Sequence, residues 1–175
     1  FLWISAFEYT NVGNAVIFIA VQPLFTLLLE FIFAKEDLRE GLITGIIMAL
    51  LGSIIISIGD ITVLFSKVYG DLLALSAAFF AACYLFVGRS LRKEIKYFPY
   101  IFIVYTYAAF FLAIFVMIKG ISFTGYSAQN YMYCLGLALG PTLIGHSVLN
   151  YSVRFLPATI VSLSILGEPV LTTLF

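Results

Sequence analysis

Three sets of polar residues recur at four-residue steps inside long apolar runs: Gln22, Thr26 and Glu30; Thr142, His146 and Asn150; Ser164, Glu168 and Thr172. On an α-helix such steps share one face, so each set predicts a polar stripe along an otherwise apolar helix. Glu168 has the widest chemistry, a carboxylate able to bind a cationic group or a proton. His146 is the only histidine, and an imidazole titrates near neutral pH. Pro23, Pro141 and Pro169 lie within or beside these stripes. Each proline lacks an N–H and frees a carbonyl one turn earlier. Beside a polar stripe, freed carbonyls can line a substrate pathway, whereas facing lipid they would be unsatisfied. A structural role stands beside each of these readings: Glu168 hydrogen-bonded to a neighbouring helix, the prolines as kinks, His146 and Asn150 satisfied by water or a carbonyl. Trp3 and Tyr84 are aromatic candidates for the same lining. No catalytic set is recognised, and His146 with Asn150 has no carboxylate or thiolate at metal-ligand spacing. Cys83 and Cys134 read as small packing residues, and no cofactor or metal is implied.

These residues sit in a chain that water alone cannot solvate. Of 175 residues, 63% are hydrophobic and 10% charged, and the mean hydropathy is +1.12. A soluble domain carries roughly a quarter of its residues as charges. Nine basic and nine acidic residues leave no net charge, so nucleic acid is not an expected partner. An aromatic content of 17% excludes disorder. The class is an all-α integral membrane protein whose partners are the lipid bilayer and a small-molecule substrate.

A spanning helix needs about 20 apolar residues, and the uncharged runs predict helices near 13–34, 41–59, 70–89, 98–118, 131–152 and 156–175. Phe1–Tyr9 reads as the tail of a seventh. Traced through alternating crossings, Lys35, Arg39, Arg89, Arg92, Lys93, Lys96 and Arg154 fall on one side, and only Lys67 and Lys119 on the other. That bias makes the first side cytoplasmic, with loops 35–41 and 89–97 inside and the cytoplasmic membrane as location. Glu36, Asp37, Glu40, Asp60, Asp71 and Glu94 then fall in loops, and Glu8 and Glu30 near helix ends. Glu168 lies about 16 Å along its helix at the α-helical rise, at the bilayer centre, where a charge costs about 2.5–3.5 kcal/mol. Gly41, Gly45, Gly52 and Gly59, and Gly136 with Gly140, read as small-residue packing faces. Homodimerisation through those faces is the alternative to packing within one chain.

Phe18 to Thr26 can be laid on Ser164 to Thr172 at an offset of 146 residues, pairing Ile19 with Ile165, Gln22 with Glu168, Pro23 with Pro169 and Thr26 with Thr172. The two helices run in opposite directions, as inverted repeats require. The division expected is 1–66 as the C-terminal part of a first repeat and 67–175 as the N-terminal part of a second. Two five-helix repeats would make a ten-helix bundle of about 280 residues, with about seven helices represented here.

Gly70 to Arg89, Leu139 to Asn150, Leu156-Pro157-Ala158 and Leu166-Gly167-Glu168-Pro169-Val170 resemble the second repeat of the EamA-type transporters, within the drug/metabolite transporter superfamily. Pro23 to Gly59, with Lys35-Glu36, resembles the end of the first. The resemblance implies ten helices with both termini cytoplasmic, and efflux or exchange of small metabolites such as amino acids. The expected function is therefore a permease working by alternating access, proton-coupled or as an exchanger, and not an enzyme. The alternative is an intramembrane enzyme acting on a lipid or other hydrophobic substrate, which would need clustered Asp, His or Arg at an interface. A channel would need a ring of charge or a filter loop, and neither is visible.

Overall fold

The computed structural model of the chain describes residues 1–35, 40–57 and 68–167. Among them every regular element is helical, which makes this an all-α membrane protein. The chain runs α1 (Leu2–Tyr9), α2 (Val12–Ile19), α3 (Gln22–Leu29), a π segment Glu30–Ala34, α4 (Glu40–Ser57), α5 (Val68–Glu94), α6 (Tyr97–Ile118), α7 (Ala128–Leu137), a second π segment Ala138–His146, α8 (Ser147–Ser152) and α9 (Ala158–Ile165). Four of the resulting continuous stretches among the described residues are long and apolar enough to cross a membrane: Val12–Ala34, Val68–Glu94, Tyr97–Ile118 and Ala128–Ser152.

Local chemistry accounts for most boundaries. The span Val12–Ala34 breaks at Ala20–Val21, immediately before Gln22-Pro23, because Pro23 has no N–H to give the Ile19 carbonyl and is tolerated only in a first helical turn. The span expected over 13–34 is therefore present as Val12–Ala34, interrupted at this point into α2 and α3. Lys35, at φ 52°, ends the π segment in the left-handed region. At the end of α6, Gly120 has φ 65°. Its N–H donates to Met117 O, and that of Ile121 donates to Val116 O, the paired 5→2 and 6→1 bonds of a Schellman stop. Ser127 opens α7, its hydroxyl accepting from the Asn130 N–H.

One boundary corrects the sequence expectation. The basic stretch expected as part of a loop over 89–97 is the last turns of α5, which runs to Glu94 and leaves only Ile95–Lys96 before α6. The expected loop 35–41 is described only at its edges, since residues 36–39 fall outside the described set.

The chain divides into two compact units, 1–88 with 156–175, and 89–155. In the first, α3 packs along α9, α2 along α4 and α1 along α2. Its core at α1, α2 and α5 is built of Ala6, Ala15 and Ala74, with Trp3, Phe18 and Leu73 against it. Small side chains are what allow helices to approach in lipid, where no hydrophobic gain drives them together. In the second unit α6 packs on α8. The helix α9, assigned by sequence to the second repeat, packs on α3 of the first.

Candidate functional site

The first polar stripe is buried. Gln22, Thr26 and Glu30 are 6%, 0% and 3% exposed, all on the α3 face that the four-residue spacing defines. Pro23 is fully buried beside Gln22. The Thr26 hydroxyl donates to Gln22 O at 2.9 Å, a back-bond to the turn loosened by the proline. Glu30 reaches across to α9: Oε1 accepts from Ala158 N–H at 2.6 Å, and Oε2 accepts from the Thr159 hydroxyl at 2.6 Å and the Thr159 N–H at 3.3 Å. Sequence placed Glu30 near a helix end, where α3 indeed stops, but did not mark it as buried. At that end it is a buried acceptor bridging two helices.

Ser164, from the third stripe, is exposed on α9 and donates to Val161 O at 2.7 Å. Glu168, Pro169 and Thr172 lie outside the described residues. The same helix buries Thr159 and Ser162, and the Ser162 hydroxyl has no hydrogen-bond partner among the described residues. Asn14 Oδ1 on α2 is likewise buried without a partner among them. Neither residue was marked by its spacing. Both are buried polar atoms of the kind that normally find a partner, protein or water.

The second stripe behaves differently. Thr142 and His146 are exposed, whereas Asn150 is buried. The stripe is stitched through backbone carbonyls: the Asn150 amide donates to His146 O at 2.8 Å, and the Tyr105 hydroxyl donates to Thr142 O at 3.0 Å. Pro141 and Gly145 fall inside the π segment Ala138–His146. A widened turn is how a helix absorbs a missing N–H without breaking.

Within that second unit Arg92 is 1% exposed. Nη1 donates to Ile95 O at 2.6 Å and Nε to Asn150 O at 3.2 Å. The guanidinium lies 5.3 Å from the Tyr97 ring centre and 5.7 Å from that of Tyr100. Sequence counted Arg92 as a loop charge. Its four-residue step from Gly88 along the apolar face of α5, followed by two tyrosines, is the signal that could have marked it as interior.

In the first unit, Asp71 was likewise expected in a loop. It is 7% exposed and accepts from the Thr10 hydroxyl at 2.6 Å. Its neighbour Gly70 is the tightest helix approach: a Cβ there would stand 2.6 Å from Tyr9 C and 2.7 Å from Thr10 N. Among the described residues, a Cβ on the expected packing glycines Gly41, Gly52, Gly136 or Gly140 would meet nothing within 4 Å, and one on Gly45 would meet Leu163 Cδ1 at 3.9 Å. Gly59 is outside the described residues. Of the aromatic candidates, Trp3 packs edge-on to Phe7 at 4.7 Å against the alanine core, and Tyr84 is half-buried on α5.

Thus Glu30 meets Ala158 and Thr159 where α3 packs along α9, and Gln22, Thr26 and Ser162 are buried on those same two helices. Thr142, His146 and Asn150 belong to the other. Among the described residues no three His, Cys, Asp or Glu side chains group as a metal site.

Comparison with known proteins agrees with this architecture. Residues 1–58 and 68–175 match the EamA-like transporter family. An uncharacterized transporter of Archaeoglobus fulgidus (strain ATCC 49558) is 33% identical over 86 residues, covering 49% of this chain and 30% of that protein. A protein of known crystal structure superposes over 99% of this chain and 62% of its own with a TM-score of 0.83, at 19% identity; at that identity the likeness is one of fold. The chain thus spans less than two thirds of the length of either protein.

Proposed function

The chain belongs to the EamA-like transporter family, and from that premise we propose that it is part of a secondary transporter carrying a small metabolite, an amino acid or similar, across the cytoplasmic membrane. The observation that supports this most is the buried polar face of α3 against α9. Polar side chains at membrane depth are expensive and normally face a partner or a pathway. Gln22 and Thr26 lie on that face next to a proline break, and α9 leads in sequence into Gly167-Glu168-Pro169. Glu168 would bind a cationic group of the substrate or a proton, and Gln22 and Thr26 would supply neutral hydrogen bonds from the facing helix. Ser162 Oγ and Asn14 Oδ1 are buried atoms with hydrogen-bonding capacity to spare, which substrate or water can use. Alternating access would proceed between two inverted five-helix repeats, divided at residues 66 and 67, with 35–41 and the end of α5 on the cytoplasmic side.

Counterflow in proteoliposomes tests the reading, with labelled L-amino acids as probes. Wild type should exchange at least one of them. Glu168→Gln should lower the rate about tenfold or more, the loss of one charge-assisted contact, and abolish any dependence on a pH gradient while leaving membrane insertion intact. Unchanged uptake and unchanged pH dependence in Glu168→Gln would discard the role given to this carboxylate.

A further inference from the structure

The first turn of a helix carries N–H groups that no intrahelical carbonyl can satisfy. In α9 their partners can be followed one by one. Ile160 N–H and Val161 N–H both donate to Pro157 O, at 3.0 and 3.2 Å. That leaves Ala158 N–H and Thr159 N–H. The residue in the N-cap position is Pro157, which makes no side-chain cap; ordinarily a Ser, Thr, Asp or Asn there would accept from the second or third N–H. Both remaining N–H groups are taken instead by the two carboxylate oxygens of Glu30, with the Thr159 hydroxyl as a further donor. Glu30 stands 128 residues away in sequence from Ala158, at the point where α3 passes into its π segment. A negative charge at a helix N-terminus also meets the positive end of the helix dipole. The site is buried, so water does not compete for these donors.

We propose that Glu30 is the N-terminal cap of α9, supplied in trans from α3, and that it acts as a positioning residue for the transport site. The carboxylate sets the height and rotation of α9 against α3. Through α9 it fixes where Ser162 and Ser164 stand relative to α3, and Glu168 follows them in sequence. This extension rests on the transport reading, but the cap itself can be tested without it. A substrate-binding carboxylate could not be replaced by a hydroxyl at residue 157, whereas a missing cap could.

The experiment compares wild type, Glu30→Ala, Glu30→Gln and the double variant Glu30→Ala/Pro157→Ser, each as the intact chain in lipid nanodiscs. Amide hydrogen exchange reads the first turn of α9, and a Ser164→Cys background reads its placement through the rate of maleimide modification. Labelled L-amino acid uptake in liposomes reads function. Both single Glu30 variants should speed exchange at Ala158 and Thr159 about tenfold or more, as loss of a charged acceptor implies, and leave α6 unchanged. They should also shift the rate of maleimide modification in the Ser164→Cys background and reduce uptake. Restoring a local cap with Pro157→Ser should recover exchange protection, labelling and uptake together. Unaltered protection in Glu30→Ala would overturn the cap. Protection recovered by Pro157→Ser without recovery of labelling and uptake would overturn the positioning role. If wild type carries no amino acid, the transport reading fails for those substrates, while exchange and labelling still decide what Glu30 does.

Discussion

The two compact units are built from helices of similar apolar length, yet they are held in different ways. In the first, helices meet through small side chains: Ala6, Ala15, Ala74, Ala78 and Ala82 are all buried. Their ends are tied by buried polar groups, Thr10 to Asp71 and Glu30 to the start of α9. Each tie joins the end of one helix to the beginning of another, as antiparallel neighbours must. In the second unit the spans Tyr97–Ile118 and Ala128–Ser152 leave Phe102, Phe110, Phe111, Met132 and Leu137 exposed, and their polar contacts gather around Arg92, Tyr97 and Tyr105. Apolar length alone says where a helix can lie in a bilayer. Small residues and buried polar partners determine where it is held.

The sharpest way to break that contrast is at Gly70. A side chain there would run into the backbone of Tyr9 and Thr10, atoms that cannot rotate away. Gly70→Leu should destabilise the protein by about 3 kcal/mol, the upper range for overpacking, read as the shift in unfolding in detergent. Gly140→Leu is its counterpart in the second unit, where a Cβ would meet nothing within 4 Å among the described residues; it should leave unfolding nearly unchanged. Equal losses at both positions would mean that the two units are held alike.

A smaller loss is expected at Arg92, which gives the second unit its own interior tie. Truncation to Ala would strip donors from Ile95 O and Asn150 O and remove the cation from two tyrosine faces, at a cost of about 2 kcal/mol. The Ile95 carbonyl belongs to the end of α5, where a cation is also favoured by the dipole. Lys keeps the charge but not the planar fork that serves two carbonyls at once. Nη2 has no hydrogen-bond partner among the described residues, so Nε and Nη1 make the hydrogen bonds of this tie. Arg92→Lys should therefore recover less than half of the loss on the same unfolding measurement, and full recovery would reverse that assignment.

Much of this architecture can be read from residue types, because long uncharged runs have few alternatives to crossing a membrane. Four of the expected spans fall where those runs lie, and the weak point before Pro23 follows from a missing N–H. What escapes is partnership at long range. Glu30 sits visibly on a stripe with Gln22 and Thr26, but nothing nearby in sequence shows that its donors come from Ala158 and Thr159. Arg92 was assigned to water because charge usually seeks it; α5 continues through it since Arg, Leu, Lys and Glu are all good helix formers, and interior carbonyls receive it. The glycine patterns misled for a related reason. Spacing marks faces that could pack closely, whereas the close approach at Gly70 depends on where α1 happens to end. Pro141 foretold a disturbed turn without deciding between a break and a π swelling.

The smallest effect on stability is expected at His146, and that makes it the cleanest probe of function. The four-residue step to Asn150 suggested two side chains sharing a pathway. In the structure the contact between them uses the His146 carbonyl, not its ring, and the imidazole is exposed. Removing an exposed side chain whose backbone does the bonding should change stability by no more than about 0.5 kcal/mol. His146→Ala should thus unfold with wild type, while Asn150→Ala, which takes a buried amide from that carbonyl, should not. With folding unaffected, any change that His146→Ala makes in the pH profile of uptake belongs to the imidazole itself. An unchanged profile would remove the His146 imidazole from the proposed pathway.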